Sequence, residues 1–208
     1  MDECVRLGPR ETAPGRDFTD PAQVSQDLKA VHVMLAAIRR ALRAGAGRPA
    51  PPGAVVLAPP GLAGRAHRAI VCDAKRLGDG RNLAWVGFFA AKRRDRDAAP
   101  VTAMDDELIG EFSAHPGVLS YSSLELDGGD WGNLILLDGD AARQRWREGA
   151  RHAYAARELA PRHYTDVRLH QGVLPEGVGA GCEPILRRTR YFDYRAGVTW
   201  RAERELPA

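Results

Sequence analysis

Between Leu83 and Pro175 the chain spells one supersecondary period twice, strand, helix, strand and then strand, helix, strand. That duplication restricts the fold more than any single residue does. The first period consists of the apolar run Ala84-Trp85-Val86-Gly87-Phe88-Phe89-Ala90-Ala91, a helix from about Asp105 to His115, and a strand from Val118 to Leu126. The second consists of Trp131 to Leu137, a helix from Asp140 to about Ala160, and a strand from His163 to Val173. Short apolar runs bounded by turn residues read as strands, whereas spacings near the helical period read as helices. Asp127-Gly128-Gly129-Asp130 joins the two periods. Glycines there accept positive φ, so the strands on either side are expected to pair as antiparallel neighbours.

A βαββαβ order predicts an α+β, ferredoxin-like sheet with both helices on one face. The other face is left bare and must be closed by a further helix, by the C-terminal segment or by a second copy of the chain. Upstream, Asp20-Pro21 caps and starts a helix that places Val24, Leu28, Val31, Leu35, Ile38 and Leu42 on one stripe. The Gly/Pro-rich run from Ala44 to Gly53 ends it. The chain therefore divides into an N-terminal extension, residues 1–53, and an α+β domain, residues 54–208. Within the domain, Val55-Val56-Leu57 reads as a strand and Gly61 to Leu77 as a helix or an irregular excursion. Ile185 to Tyr194 reads as an extra strand, which Val198 to Arg204 extends or follows with another. In the second helix of the duplication, Ala142, Trp146, Gly149, Ala153, Ala156 and Ala160 form a small-residue face suited to lying close on a sheet, and Pro161 stops it.

Composition narrows the function classes. A chain of 208 residues, 44% hydrophobic and 27% charged, suffices for one core. The net charge of +3, with arginines scattered among acids, does not make a nucleic-acid surface. No run approaches the roughly 20 apolar residues of a membrane span. Met1-Asp2-Glu3-Cys4-Val5-Arg6 lacks an apolar signal region, so a cytoplasmic protein is expected. Cys4, Cys72 and Cys182 are far apart and read as reduced thiols. The glycines do not follow the spacing of a phosphate loop or dinucleotide fingerprint, and Ser120, Ser122 and Ser123 lack a nucleophile elbow.

Alternation along the last strand sends Thr165, Val167 and Leu169 one way and Asp166, Arg168 and His170 the other. The apolar set should meet the helices, so Arg168 and His170 should face the bare side. Asn133 is expected beside them, with either Ser120 and Ser122 or Tyr121, Ser123 and Glu125 from the second strand. Such a lining orients a polar substrate and moves protons; a structural ion pair of Arg168 with Asp166 is the alternative that parity leaves open. His152 lies about 80° from the centre of the Ala-rich face, where it can reach a ligand wedged between helix and sheet, either as acid-base or as an axial ligand to haem. Asp105 and Asp106 read as helix caps. Gly172, Gly177, Gly179 and Gly181 suggest a mobile loop able to act as a lid.

The duplicated order, His115-Pro116-Gly117-Val118-Leu119-Ser120-Tyr121 after the first helix, and Trp146 with His152 in the second together resemble the dimeric α+β barrel superfamily over residues 83–175. That superfamily includes antibiotic-biosynthesis monooxygenases and haem-degrading monooxygenases. The resemblance implies two subunits packing their sheets into a barrel, with a cavity in each between sheet and helices. It also implies either cofactor-free oxidation of electron-rich aromatics or haem held by a histidine of the second helix. Carried onto this chain, His152 matches that histidine, and Trp146 or Asn133 borders the pocket. Two departures stand out: the spacing from Trp146 to His152 is shorter than in the haem-degrading pattern, and the asparagine of the first strand has no counterpart beyond Asn82. The expectation is a small intracellular homodimeric enzyme of specialised metabolism that oxidises a small organic molecule. Its catalytic set is Arg168, His170, Asn133 and Tyr121, with haem, where bound, on His152 beside Trp146 and otherwise no cofactor. A noncatalytic ligand-binding or assembly protein using the same cavity is the other reading.

Overall fold

The computed structural model describes residues 4–43, 55–57, 65–112, 115–179 and 182–206, the short segment 55–57 as backbone alone. Nine strands among them form one sheet: β1 (Val5–Arg6), β2 (Val55–Leu57), β3 (His67–Val71), β4 (Leu83–Lys92), β5 (Val118–Glu125), β6 (Trp131–Leu137), β7 (Tyr164–Leu174), β8 (Ile185–Asp193) and β9 (Trp200–Glu205). The order across the sheet is β1-β9-β8-β7-β4-β6-β5-β3-β2. At its centre, β7-β4-β6-β5 are the four strands of the duplicated period, each antiparallel to its neighbour. This is the ferredoxin-like arrangement that βαββαβ predicts. Gly128 and Gly129 turn the chain between β5 and β6 with φ of 79° and 77°, and the Leu126 amide donates to the Asp130 carbonyl at 2.7 Å. β8 and β9 are the extra C-terminal strands. β3 falls in the stretch that reads as a helix or an excursion; its pairing with β5, rather than its own pattern, makes it a strand. The start of that stretch, residues 61–64, lies outside the described residues, as do the linker over 44–53 and Gly181.

Helix α1 (Pro21–Arg43) starts where Asp20-Pro21 predicts, with Asp20 accepting from the Ala22 amide at 2.7 Å. A one-turn helix, α2 (Ala74–Gly78), precedes β4. In the first period, helix α3 (Ala99–Glu111) begins well before Asp105, because Pro100 supplies the first-turn φ that starts a helix. Asp105 and Asp106 are therefore interior helix residues and not caps. The second helix of the duplication is broken into α4 (Gly139–Glu148), α5 (Ala150–Tyr154), a π turn (Ala155–Leu159) and α6 (Ala160–His163). Gly149, with ψ of 134°, leaves the helical region and makes the first break. Pro161 does not stop the helix. It sits in the first turn of α6, and the wide turn ahead of it accommodates a ring that offers no N–H and crowds the carbonyl one turn back. Gly172, expected in a mobile loop, instead lies within β7. The turn that follows is tied down where the Val178 amide donates to the Leu77 carbonyl at 3.0 Å.

The helices of the duplication cover one face of the sheet, where Ala84, Tyr121 and Leu137 meet Phe112, Ala142 and Trp146. The other face is closed by α1 of the same chain. Val31, Met34, Leu35 and Ile38 are buried there against Trp85, Phe89, Leu119, Leu134 and Leu136. Where a second subunit's sheet was expected, the N-terminal extension fills the position. Two glycines let the large rings lie flat on neighbouring strands. A Cβ at Gly172 would come within 2.5 Å of the Trp85 indole and 2.1 Å of the Ile185 carbonyl, and one at Gly132 within 2.6 Å of Phe89. No helix among the described residues is long and apolar enough to cross a membrane.

One polar clamp pins α1 to this face. Asp27, 4% exposed, takes a two-pronged contact from Arg168, Nε at 2.6 Å and Nη2 at 3.0 Å, and a third bond from His170 Nε2 at 2.9 Å. His170 Nδ1 lies 2.8 Å from the Thr189 hydroxyl, and Asp166 stands 3.7 Å from Arg168. Arg168 and His170 thus do face away from the duplicated helices, as alternation requires, but they meet α1 and not a cavity. Carboxylate, imidazole and hydroxyl follow one another in the order of a nucleophilic triad. His170 and Thr189 nevertheless have no exposed surface, so the group serves cohesion. Burial alone would raise the Asp27 pKa, but the bonds from His170 and Arg168 and the Arg168 charge hold it below its ordinary 3.8.

Two predictions test this closure. Ile38→Ala is expected to cost about 2–5 kcal/mol of unfolding free energy, measured by urea denaturation; a loss well under that range would mean α1 is not docked. Asp27→Asn removes one side of a buried ion pair and is expected to cost about 3–5 kcal/mol at neutral pH. Because the folded carboxyl is depressed, its contribution is whole above the ordinary value and fades as pH falls through the folded one. Below about pH 4 the variant and parent stabilities should therefore converge, and an unchanging gap in acid titrations would refute the assignment.

Candidate active site

The sheet divides the expected catalytic set. Asn133 is paired with Phe88 on β4 and Ser123 on β5, and Phe88 is paired with Leu169. Asn133 and Tyr121 therefore share the α3 face, opposite Arg168 and His170. The expectation that Asn133 lies beside Arg168 and His170 is corrected by this register. Ser120 and Ser122, opposite Leu136 and Leu134, are the second-strand residues on the α1 face.

With Arg168 and His170 committed to α1, the rest of the expected set lies on the α3 face. Tyr121, 4% exposed, donates to Asp105 of α3 at 2.6 Å, and Arg68 of β3 pairs with the same carboxylate. Burial pushes the Tyr121 hydroxyl well above its ordinary range and the Asp105 charge pushes it further, so it stays protonated. Beyond the C-terminal end of α3, Trp146 packs on Phe112 at 5.3 Å, on His115 at 5.0 Å and on His152 at 5.6 Å between ring centres. Burial lowers the His152 pKa, which keeps the imidazole neutral near pH 7. Three polar atoms on this face are shut from solvent without a hydrogen-bond partner among the described residues: Asn133 Oδ1, Trp146 Nε1 and His152 Nδ1. Buried polar atoms are nearly always paired, so these three are the exceptions on this face. The same packing does not fit a haem on His152. Trp146 fills the flank of the imidazole and is itself enclosed by Phe112 and His115, where a porphyrin would need a slot as wide as its ring.

The cleft itself opens nearer the N-terminal end of α3. No residue of α3 is fully buried, and the sheet residues Val86, Phe88 and Ile135 beneath it are only half-buried. The helix stands off the sheet and leaves a cleft of about 240 Å³, with Val101 and Thr102 on one wall and Lys92, His163 and Tyr164 on the other. Arg93, Arg94 and Arg96 also line it, with Asp97 as the lining carboxylate among the described residues. Tyr164 packs edge-on against Phe88 at 5.5 Å. Burial, reinforced by the charges of Asp105 and Asp130, pushes its hydroxyl far above the ordinary range. The Lys92 ammonium lies 5.6 Å from the centre of the Trp131 ring. Burial draws its pKa down, Asp130 opposing and Arg94 assisting. The arrangement offers a hydroxyl donor on an aromatic ring, a partly desolvated ammonium and three guanidinium groups, which together suit a small acidic molecule.

Sequence reading missed Asp27, Lys92 and Tyr164. Asp27 carried a signal, since it is an acid lying within the apolar stripe between Val24 and Val31. Lys92 opens the basic run Lys92-Arg93-Arg94 at the end of β4. Tyr164 shows nothing in the sequence that sets it apart from other strand tyrosines.

No protein-family model matches the chain, and no curated protein does. Among solved structures, it is similar to Rv0793 from Mycobacterium tuberculosis, with TM-score 0.40 and 22% identity over 48% of this chain and 99% of that one. PA3566 from Pseudomonas aeruginosa gives TM-score 0.38 and 15% identity over 45% and 93%. SnoaB, a cofactor-independent oxygenase from Streptomyces nogalater, gives TM-score 0.37 and 14% identity over 49% and 98%. In each case nearly the whole of the other protein lies on less than half of this chain.

Proposed function

We propose that the chain is an enzyme that oxidises a small, acidic, electron-rich aromatic molecule in the cleft between α3 and the sheet, by monooxygenase-like chemistry without a cofactor of its own. The observation that carries this reading is the cleft, where Lys92 and three arginines converge on Tyr164, itself backed by Phe88. The reaction class follows the resemblance drawn from residues 83–175.

Each role is set by what the side chain can do at neutral pH. Tyr164 keeps its proton and donates a hydrogen bond to a phenol or carbonyl oxygen of the substrate. Lys92 favours loss of the substrate's acidic proton by stabilising the oxyanion that results. An electron-rich anion of this kind can reduce dioxygen directly: a ring methylene becomes a carbonyl, and the second oxygen atom leaves as water. Asn133, further along the same face, accepts a hydrogen bond from the substrate through its unpartnered oxygen. Tyr121 holds Asp105 in place above it. Trp146 and His152 pack at the other end of α3, outside the lining of this cleft, and take no part in the reaction. Any homodimer of this chain uses a surface other than the face that α1 covers.

Replacing Tyr164 by Phe removes one donor to the developing charge and is expected to lower turnover about 10²-fold, read as oxygen uptake with hydroxylated naphthalene and anthracene probes. Circular dichroism should be unchanged. Probe binding without oxygen uptake in the parent would identify a noncatalytic binding protein instead. A Soret band in the purified chain would reinstate haem.

A further inference from the structure

A second cleft, about 360 Å³, lies where β7, β8 and the first turn of α4 meet. It arises from a fault in the ladder. Gln171 is paired with Arg188 while Gly172 is paired with Leu186, so Arg187 is an extra residue on β8. A bulge of this kind re-aims side chains that regular alternation would send to opposite faces. Here the consecutive residues Arg187 and Arg188 both line the cleft, and Arg143 of α4 joins them.

The charges in the cleft do not balance. Arg143 pairs with Asp140 at 3.1 Å, and Arg188 with Glu205 at 2.9 Å and, at the outer limit, with Glu203 at 4.0 Å. Arg187 forms no ion pair among the described residues, and its Nη1 is shut from solvent with no hydrogen-bond partner among them. The two close carboxylates, Asp140 and Glu205, are well exposed, at 78% and 53% of their side-chain surface. Exposed pairs of that kind are weak and readily exchanged, so both paired arginines can turn to a stronger acceptor. Gln171, 8% exposed, receives Arg143 Nη1 at 3.3 Å and holds that guanidinium against the wall.

We infer that this cleft binds a phosphate group, with Arg187 supplying the uncompensated charge and Arg143 and Arg188 completing the contacts. Guanidinium forks match phosphate oxygens two at a time, and three of them suit a tetrahedral dianion better than one planar carboxylate. The group is either free phosphate or the phosphate of a small ester, and it is independent of the oxidative cleft.

Titration calorimetry of the full chain at fixed ionic strength tests the site, with inorganic phosphate, methyl phosphate and succinate as probes. Saturable one-to-one binding of phosphate or its methyl ester is expected, with succinate weaker, and the tighter of the two phosphates identifies the source. Arg187→Gln should weaken that binding at least tenfold while leaving the unfolding midpoint in phosphate-free buffer unchanged. Arg65→Gln, on the opposite edge of the sheet, should leave binding as it is. If Arg187→Gln does not fold, Arg143→Gln and Arg188→Gln carry the test, each expected to bind several-fold more weakly. Absence of saturable binding, tighter binding of succinate, or affinity untouched by these cleft variants would overturn the site.

Discussion

The seal between α1 and the central sheet governs the rest of the structure. One helix contributes four fully buried apolar side chains and one buried carboxylate, and the sheet answers with two aromatic rings laid on glycine backbone. A buried carboxylate is costly unless its lone pairs are met, and Asp27 meets that condition only with Arg168 and His170 both in place. The clamp thus sets the register of α1 along the sheet more sharply than the apolar stripe could, since leucines and valines tolerate sliding that a forked ion pair does not.

Sealing that face has a functional consequence. A ferredoxin-like sheet has two faces on which to build a pocket, and here one is occupied by packed side chains from edge to edge of the central strands. Room for a pocket is left on the other face, where no residue of α3 is fully buried. The two groups of candidate residues that alternation brings to one end of the sheet therefore have opposite fates. Arg168 and His170 hold the fold together, while Asn133 and Tyr121 face the space beneath α3.

The central architecture was legible because burial imposes periodicity: β4 to β7, the stripe on α1 and the glycine turn between β5 and β6 all follow from spacing. The outward direction of Arg168 and His170 was legible for the same reason. What covered them was not. Parity names a face, but the partner of that face is set by a segment more than a hundred residues away in the chain, joined through a linker whose path no local pattern encodes. The start of α3 was missed because Asp105 is a plausible cap, and Pro100, the stronger signal, lies in a stretch without apolar rhythm. β3 was missed because a short strand takes its identity from its neighbour.

Both clefts share an origin that periodicity conceals. The ladder between β4 and β7 slips between Ala91 and Lys92, and Lys92 lines the first cleft. The ladder between β7 and β8 slips between Gln171 and Gly172, and Arg187, the residue left over, lines the second. A regular strand would send successive side chains to opposite faces, so Arg187 and Arg188 could not line one cleft within an unbroken ladder. Strand alternation, the rule that makes the core readable, is suspended beside both clefts. A sequence pattern strong enough to fix the core is for that reason silent about these clefts: they open where the pattern fails, and only the pairing of distant strands decides where that is.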